Sequence, residues 1–285
     1  TNGEIYIGVV GPVRTGKSTF IKRFMNLMVL PNIEDENDRN RANDELPQSS
    51  SGKTIMTTEP KFVPNEAVSI KTEEGIELNV RLIDCVGYMV EGATGHMEGE
   101  EERLVKTPWF DYEIPFTKAA AIGTKKVITE HSTIGVVVTC DGSFGEIAAK
   151  QYEPAEEETI KQLKALKKPF VVLLNTIHPY SESTKQLAAE KEEKYQTKVL
   201  PMNLEQMKKE DIYEIIKSVL MEFPISSIGF YVPRWTEMLK KDHPLKMELL
   251  QMARDVITEK TTMRDIYEEQ EKEYEYITGQ KLESV

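Results

Sequence analysis

A short run of apolar, β-branched residues, Ile5–Val10, ends on the string Gly11-Pro-Val-Arg-Thr-Gly16-Lys17-Ser18-Thr19. An apolar helical spacing follows at once. The continuous run predicts a strand buried on both faces. The string matches G-x-x-x-x-G-K-[ST], in which glycines let the backbone wrap so that successive amides point inward. Those amides and the positive end of the following helix form a cradle for phosphate. In that pattern Lys17 reaches the β- and γ-phosphates and the Ser18 hydroxyl serves Mg²⁺. Gly11, Arg14, Thr15, Gly16 and Thr19 complete the predicted nucleotide-binding loop.

The rest of the chain must then supply a sheet around this strand. Phe20, Ile21, Phe24, Met25, Met28 and Val29 continue the helical spacing until Pro31 stops it. Residues 32–53 are polar and predict a long mobile segment with one acidic helical turn. Strands are predicted over 61–70, interrupted by Pro64, and over 76–85, joined as a hairpin at Glu73-Glu74-Gly75. Residues 86–116, rich in Gly, Glu and Pro, predict a long loop, with Trp109 and Phe110 as a small satellite core beneath it. Beyond it, helices 116–130, 155–167, 182–195 and 204–222 alternate with strands 134–139, 170–174 and 199–202. Such alternation indicates an α/β fold with a mostly parallel central sheet flanked by helices, a P-loop NTPase of the translation-factor/GTPase-like kind.

Pro224 marks the expected boundary between a P-loop domain, 1–224, and a helical extension, 225–285, read as the start of a truncated middle domain. The opening Thr-Asn-Gly and the charge-dense end suggest a piece of a longer protein.

Three further segments carry chemistry. Arg81-Leu-Ile-Asp84-Cys-Val-Gly87 is an apolar strand ending in a carboxylate, with glycine three residues on. Asp84 is expected to hold Mg²⁺ through water, and the Gly87 amide to meet the γ-phosphate. Thr57-Thr58 ends the polar segment, where a threonine completes the metal's shell only when a γ-phosphate is present. Thr58 is favoured as ligand with Thr57 beside it, though two adjacent threonines leave the register open. The third segment, Asn175-Thr176-Ile177-His178, stands where GTPases of this element order read guanine with Asn-Lys-x-Asp. Asn175 is retained as a nucleotide-binding residue. The Asp that accepts guanine's two donors is absent, so ATP is the expected nucleotide.

Tyr88 occupies the place of the small GTPases' water-orienting Gln, which predicts slow hydrolysis. Arg14 stands where cation-activated relatives hold potassium, and its guanidinium is a candidate for that charge. The predicted catalytic set is therefore Lys17, Thr57, Thr58, Asp84 and Arg14. A net charge of −12 argues against a general nucleic-acid binder. No apolar run approaches the about 20 residues that span a bilayer. The two cysteines, Cys85 and Cys140, read as buried free thiols.

Together with the loop, Asp44-Glu-Leu-Pro-Gln-Ser, Gly52-Lys-Thr-Ile-Met-Thr-Thr-Glu-Pro-Lys-Phe-Val-Pro-Asn65 and Asp84-Cys-Val-Gly-Tyr closely resemble the stage IV sporulation protein A family. These are the spore coat morphogenetic ATPases of endospore-forming bacteria. Thr107-Pro-Trp-Phe, Ile114-Pro-Phe, Glu130-His-Ser-Thr-Ile-Gly-Val and Glu222-Phe-Pro extend the likeness through most of the chain. The resemblance implies a slow, Mg²⁺-dependent ATP hydrolase that couples hydrolysis to polymerisation and forms the basement layer of the coat. It places the protein in the mother-cell cytoplasm, peripheral on the outer forespore membrane. It assigns ATP binding to Lys17, hydrolysis sensing to Thr57 and Thr58, and the Walker-B role to Asp84. The implied partners are further copies of the protein, other coat proteins and a small amphipathic membrane peptide, the last two through a C-terminal region beyond this chain. A GTPase-type switch recruiting coat partners without assembling is the alternative; a metabolic kinase would need an acceptor pocket with a base, which the sequence does not display.

Overall fold

The run Glu4–Val10 forms the strand β1, and the loop behind it opens the helix α1 (Lys17–Phe24). This computed structural model describes residues 4–47, 59–71, 75, 77–98, 101–145, 147–259 and 261–270. It divides into two compact units, Thr1–Val219 and Leu220–Val285.

In the first unit, α2 (Glu36–Asp44) precedes the strands β2 (Lys61–Lys71) and β3 (Glu77–Asp84). Four short strands follow: β4 (Met97–Glu98), β5 (Glu101–Glu102), β6 (Leu104–Thr107) and β7 (Phe110–Pro115). The alternation then runs α3 (Phe116–Lys126), β8 (Ile134–Cys140), α4 (Ala149–Ala165), β9 (Phe170–Asn175), α5 (Glu182–Tyr195), β10 (Val199–Met202) and α6 (Lys209–Met221). The main sheet has six strands in the order β10-β9-β8-β1-β3-β2, parallel throughout except for β2, which runs antiparallel to β3. Every residue of β8 and β9 is buried, as their unbroken apolar runs require of strands covered on both faces. The parallel pairing sets Val9 beside Asp84 and Val10 beside Val137, bringing the carboxyl ends of β1, β3 and β8 together. The β2–β3 register shifts between Val63 and Val68, around Pro64, which has no N–H to give a ladder.

Several expectations needed revision. Residues 86–116 contain two small antiparallel pairs, β4–β5 and β6–β7, in place of an unstructured loop. Alternation in Leu104-Val-Lys-Thr and Phe110-Asp-Tyr-Glu-Ile was masked by the charges around it. The acidic turn is a full helix, α2, started by Asp35, whose carboxylate accepts from the Asp38 amide at 3.0 Å. Helix α4 starts at Ala149, six residues before the predicted 155, with Pro154 inside it; burial of Tyr152 and Ala155 on one face offsets the hydrogen bond that proline cannot make. The helix after the phosphate loop widens into a π-turn over Met25–Val29, which buries Met25, Met28 and Val29. Residues 204–208 form a turn before α6, with Leu204 and Met207 buried.

A second apolar cluster fixes the surroundings of the phosphate loop. Val13, Val90, Ala93, Cys140, Ile147, Tyr152 and Ala155 pack together, joining the loop to the segment after β3 and to α4.

The second unit contains α7 (Pro244–Glu259) and α8 (Met263–Gln270). The predicted helical extension breaks between them, where the Asp265 carboxylate accepts from the Thr261 and Thr262 amides at 2.9 and 2.7 Å. Arg264 pairs with Glu222, and the Met263 amide donates to the Phe223 carbonyl at 3.0 Å. Among the described residues no helix is long and apolar enough to cross a membrane.

Candidate functional site

The site grows from the end of β1. Lys17 is 5% exposed, and its Nζ donates to the Pro12 carbonyl at 2.5 Å, which also accepts from Thr15 Oγ1 at 3.0 Å. Burial lowers the lysine's pKa, against the pull of neighbouring negative groups, Asp84 among them. Ser18 Oγ stands 3.5 Å from Asp84 Oδ2, at the limit of a hydrogen bond. Parallel pairing of β1 with β3 therefore brings together Lys17, Ser18 and Asp84 from two distant parts of the sequence.

Asp84 retains some surface as a residue, yet its Oδ1 is fully enclosed and has no hydrogen-bond partner among the described residues. Burial raises its pKa to about 6; the Lys17 ammonium, the Cys85 amide and the Ser18 hydroxyl oppose that rise. An enclosed carboxylate oxygen without a partner, beside a serine hydroxyl, is a donor set suited to a hard divalent cation such as Mg²⁺.

The titration also bears on stability. A carboxyl whose folded value lies above its ordinary 3.8 favours the fold only while protonated, so that contribution is lost as pH rises through about 6. Asp84→Asn is therefore expected to stabilise the metal-free protein at pH 8 by about 1 kcal/mol. The gap should close as pH falls from about 6 toward 3.8. Thermal melts in EDTA across this range check it; a variant less stable than the parent at pH 8 would show that the ionised carboxylate is adequately paired.

The segment after β3 lies directly on the phosphate loop. The Tyr88 amide donates to the Gly11 carbonyl at 3.3 Å, and the Val13 amide to the Tyr88 carbonyl at 2.9 Å, forming a parallel bridge between the segments. Gly87 sits at φ +96°, where a Cβ would lie 2.2 Å from the Gly11 carbonyl oxygen and 2.5 Å from Lys17 Nζ. Its amide donates to Thr124 Oγ1 at 3.1 Å. The Tyr88 side chain packs into the apolar cores, and its hydroxyl is enclosed, with burial pushing its pKa up to about 12.

Arg14, exposed and at φ +62°, donates from Nη2 to Thr94 Oγ1 at 3.0 Å and to the Thr94 carbonyl at 3.3 Å. Here its guanidinium fastens the loop to the segment beyond Gly92. Asn175 is 6% exposed and committed at both ends of its amide: Nδ2 donates to the Thr15 carbonyl at 3.0 Å, and Oδ1 accepts from the Leu204 amide at 3.2 Å. It braces the phosphate loop against the ends of β9 and β10. His178 is exposed two residues beyond Thr176, whose Oγ1 accepts from the His178 amide at 3.1 Å. Gly16 and Thr19 lie on the loop and on the first turn of α1. Thr57 and Thr58 fall outside the described residues.

Thr94 and Thr124 were not foreseen. Neither belongs to a motif, and only the folded chain brings them to Arg14 and Gly87. Trp109 and Phe110 lie away from this constellation; Lys126 Nζ stands 5.8 Å from the Trp109 ring centre, and Phe110 packs on Tyr112.

Comparison with known proteins places this geometry in a family. Residues 1–224 match the family described as Stage IV sporulation protein A, ATPase domain, and residues 225–285 match Stage IV sporulation protein A, middle domain. Curated proteins named Stage IV sporulation protein A are 54% identical in Clostridioides difficile, 50% in Bacillus anthracis and 49% in Bacillus subtilis. Each alignment covers 266 residues, 93% of this chain and 54% of the relative, so the chain spans about half the length of these relatives. A solved complex of SsGBP with GDP overlaps 76% of this chain and 50% of its own at 13% identity and a TM-score of 0.43, a likeness too slight to carry weight. With a family match running the length of the phosphate-loop unit and on into the second, the chain belongs to the stage IV sporulation protein A family.

Proposed function

We propose that this chain binds ATP with Mg²⁺, hydrolyses it slowly, and couples the hydrolysis to self-assembly into the basement layer of the spore coat. The observation that carries the reading is the meeting of buried Lys17, Ser18 and the partnerless Asp84 oxygen at the mouth of the phosphate loop. The matched family is described as an ATPase domain of a sporulation protein, which supports both the reaction and the setting.

In this proposal the Lys17 ammonium neutralises charge on the β- and γ-phosphates, and the loop amides orient them. Ser18 and Asp84 hold Mg²⁺, which supplies Lewis-acid polarisation of the phosphoryl oxygens. The Gly87 amide and the Thr57–Thr58 pair read the γ-phosphate. Asn175 positions the nucleotide-binding loop through its bond to the Thr15 carbonyl. The absence of a carboxylate at 178 leaves guanine's paired donors without their usual acceptor, which supports adenine. The remaining parts of the proposal are a place in the mother-cell cytoplasm against the outer forespore membrane, with coat proteins and an amphipathic membrane peptide as partners.

Phosphate release with ATP and with GTP, each with Mg²⁺ and with EDTA, tests the chemistry. ATP turnover is expected to exceed GTP turnover by about tenfold and to vanish in EDTA; equal or faster GTP turnover overturns the adenine assignment. Sedimentation with ATP and with a non-hydrolysable analogue tests the coupling, which fails if assembly is the same under both.

A further inference from the structure

The amide assigned to γ-phosphate sensing already has a partner. Gly87 N–H donates to Thr124 Oγ1 at 3.1 Å, and the same hydroxyl donates to the Ala120 carbonyl, one turn back in α3, at 2.8 Å. Thr124 is fully buried at 0% exposure, so this contact excludes water. The hydroxyl's proton is spent on the helix, which leaves a lone pair aimed at the amide. The neighbouring peptide is held as well, by the Tyr88–Gly11 and Val13–Tyr88 hydrogen bonds. Gly87 packs close enough to the loop that a single Cβ would meet both Gly11 and Lys17. The amide therefore sits within reach of the phosphate cradle while facing away from it.

We propose that Thr124 is a positioning residue that holds the Gly87 amide in a resting pose, so that a γ-phosphate must take the amide from the Thr124 hydroxyl. Thr124 then sets the contrast between triphosphate and diphosphate. ADP binds without disturbing the contact, whereas ATP binds at the expense of one buried hydrogen bond. The inference rests on the nucleotide reading above. A ligand shifts a two-state element only by its differential affinity for the two states, and this contact is one determinant of that difference.

The test is isothermal titration of the whole chain with ADP and with a non-hydrolysable ATP analogue, both with Mg²⁺, for the parent, Thr124→Val and Thr124→Ser. Valine keeps the shape and removes the acceptor, which raises the energy of the resting pose alone. Thr124→Val is expected to tighten analogue binding by about 3- to 10-fold and to leave ADP within about twofold, while Thr124→Ser keeps the parental ratio. If valine prevents folding, Thr124→Cys, whose sulfur is a weaker acceptor, is expected to shift the ratio the same way. Both nucleotides shifting together, an unchanged ratio, or a serine variant that behaves like valine overturns the proposal. A parent that binds neither nucleotide defeats the nucleotide reading itself, whereas a parent that discriminates with variants that match it defeats only the role of Thr124.

Discussion

Lys17→Ala is expected to lower ATP turnover by at least about a hundredfold, since removing one preorganised charge from a phosphoryl-transfer site costs on the order of 3 kcal/mol. The fold should survive. The lysine is buried at a cost that lowers its own pKa, and Thr15 Oγ1 still satisfies the Pro12 carbonyl at 3.0 Å once the ammonium is gone. A melting temperature close to the parent, with turnover lost in a phosphate-release assay, is the expected pair of results. Turnover within about threefold of the parent would remove Lys17 from the chemistry. A collapse of stability would recast it as a structural cation of the loop.

Gly87→Ala is expected to produce the largest combined effect. The backbone at φ +96° strains any L side chain, and the added Cβ would stand 2.2 Å from the Gly11 carbonyl oxygen, which cannot rotate aside. The segment after β3 must therefore lift from the loop, breaking the Tyr88–Gly11 and Val13–Tyr88 hydrogen bonds. A loss of about 2–3 kcal/mol follows from strain and undocking together. For a unit of this size that is about 5–10 °C in melting temperature. Turnover should fall by about tenfold or more, because the sensing amide leaves with the segment. Gly75→Ala, where a Cβ meets nothing within 4 Å among the described residues, is the control. Equal effects at the two positions would show that backbone strain alone, and not the crowding against the loop, sets the penalty.

The parts of this molecule that could be read from its sequence are those in which one local pattern forces one geometry. A buried strand, a glycine-bounded loop and a helix in immediate succession leave little choice for Gly11–Thr19, and the recurring apolar strands leave little choice for a parallel sheet. Asp84 could be picked out because it ends such a strand. Asn175 could be picked out by its place, but the contacts of its amide could not. Its amide braces the loop against Leu204, a contact that depends on where β10 ends. The early start of α4 at Ala149, ahead of the predicted 155, was not legible, because the burial of Tyr152 is a tertiary effect with no local signature. Thr94 and Thr124 reach their partners across 80 and 37 residues, and no spacing rule connects positions so far apart. Arg14 is the instructive intermediate case. Its unusual place in the loop was visible, but its engagement with Thr94 depends on the packing of Val13 against Val90 and Ala93.

The outermost strands of the six-stranded sheet, β2 and β10, share a feature with consequences for how copies of such a chain can meet. β2 carries Pro64 within its register shift, and β10 has only four residues, one of them Pro201. A proline on an exposed edge withholds the N–H that an incoming strand would need, and a bulged or very short edge gives it no ladder to extend. Continuous sheets running from one molecule into the next are thereby disfavoured on both sides. Copies of this unit would therefore meet through side-chain surfaces more readily than through shared backbone hydrogen bonds of the amyloid kind.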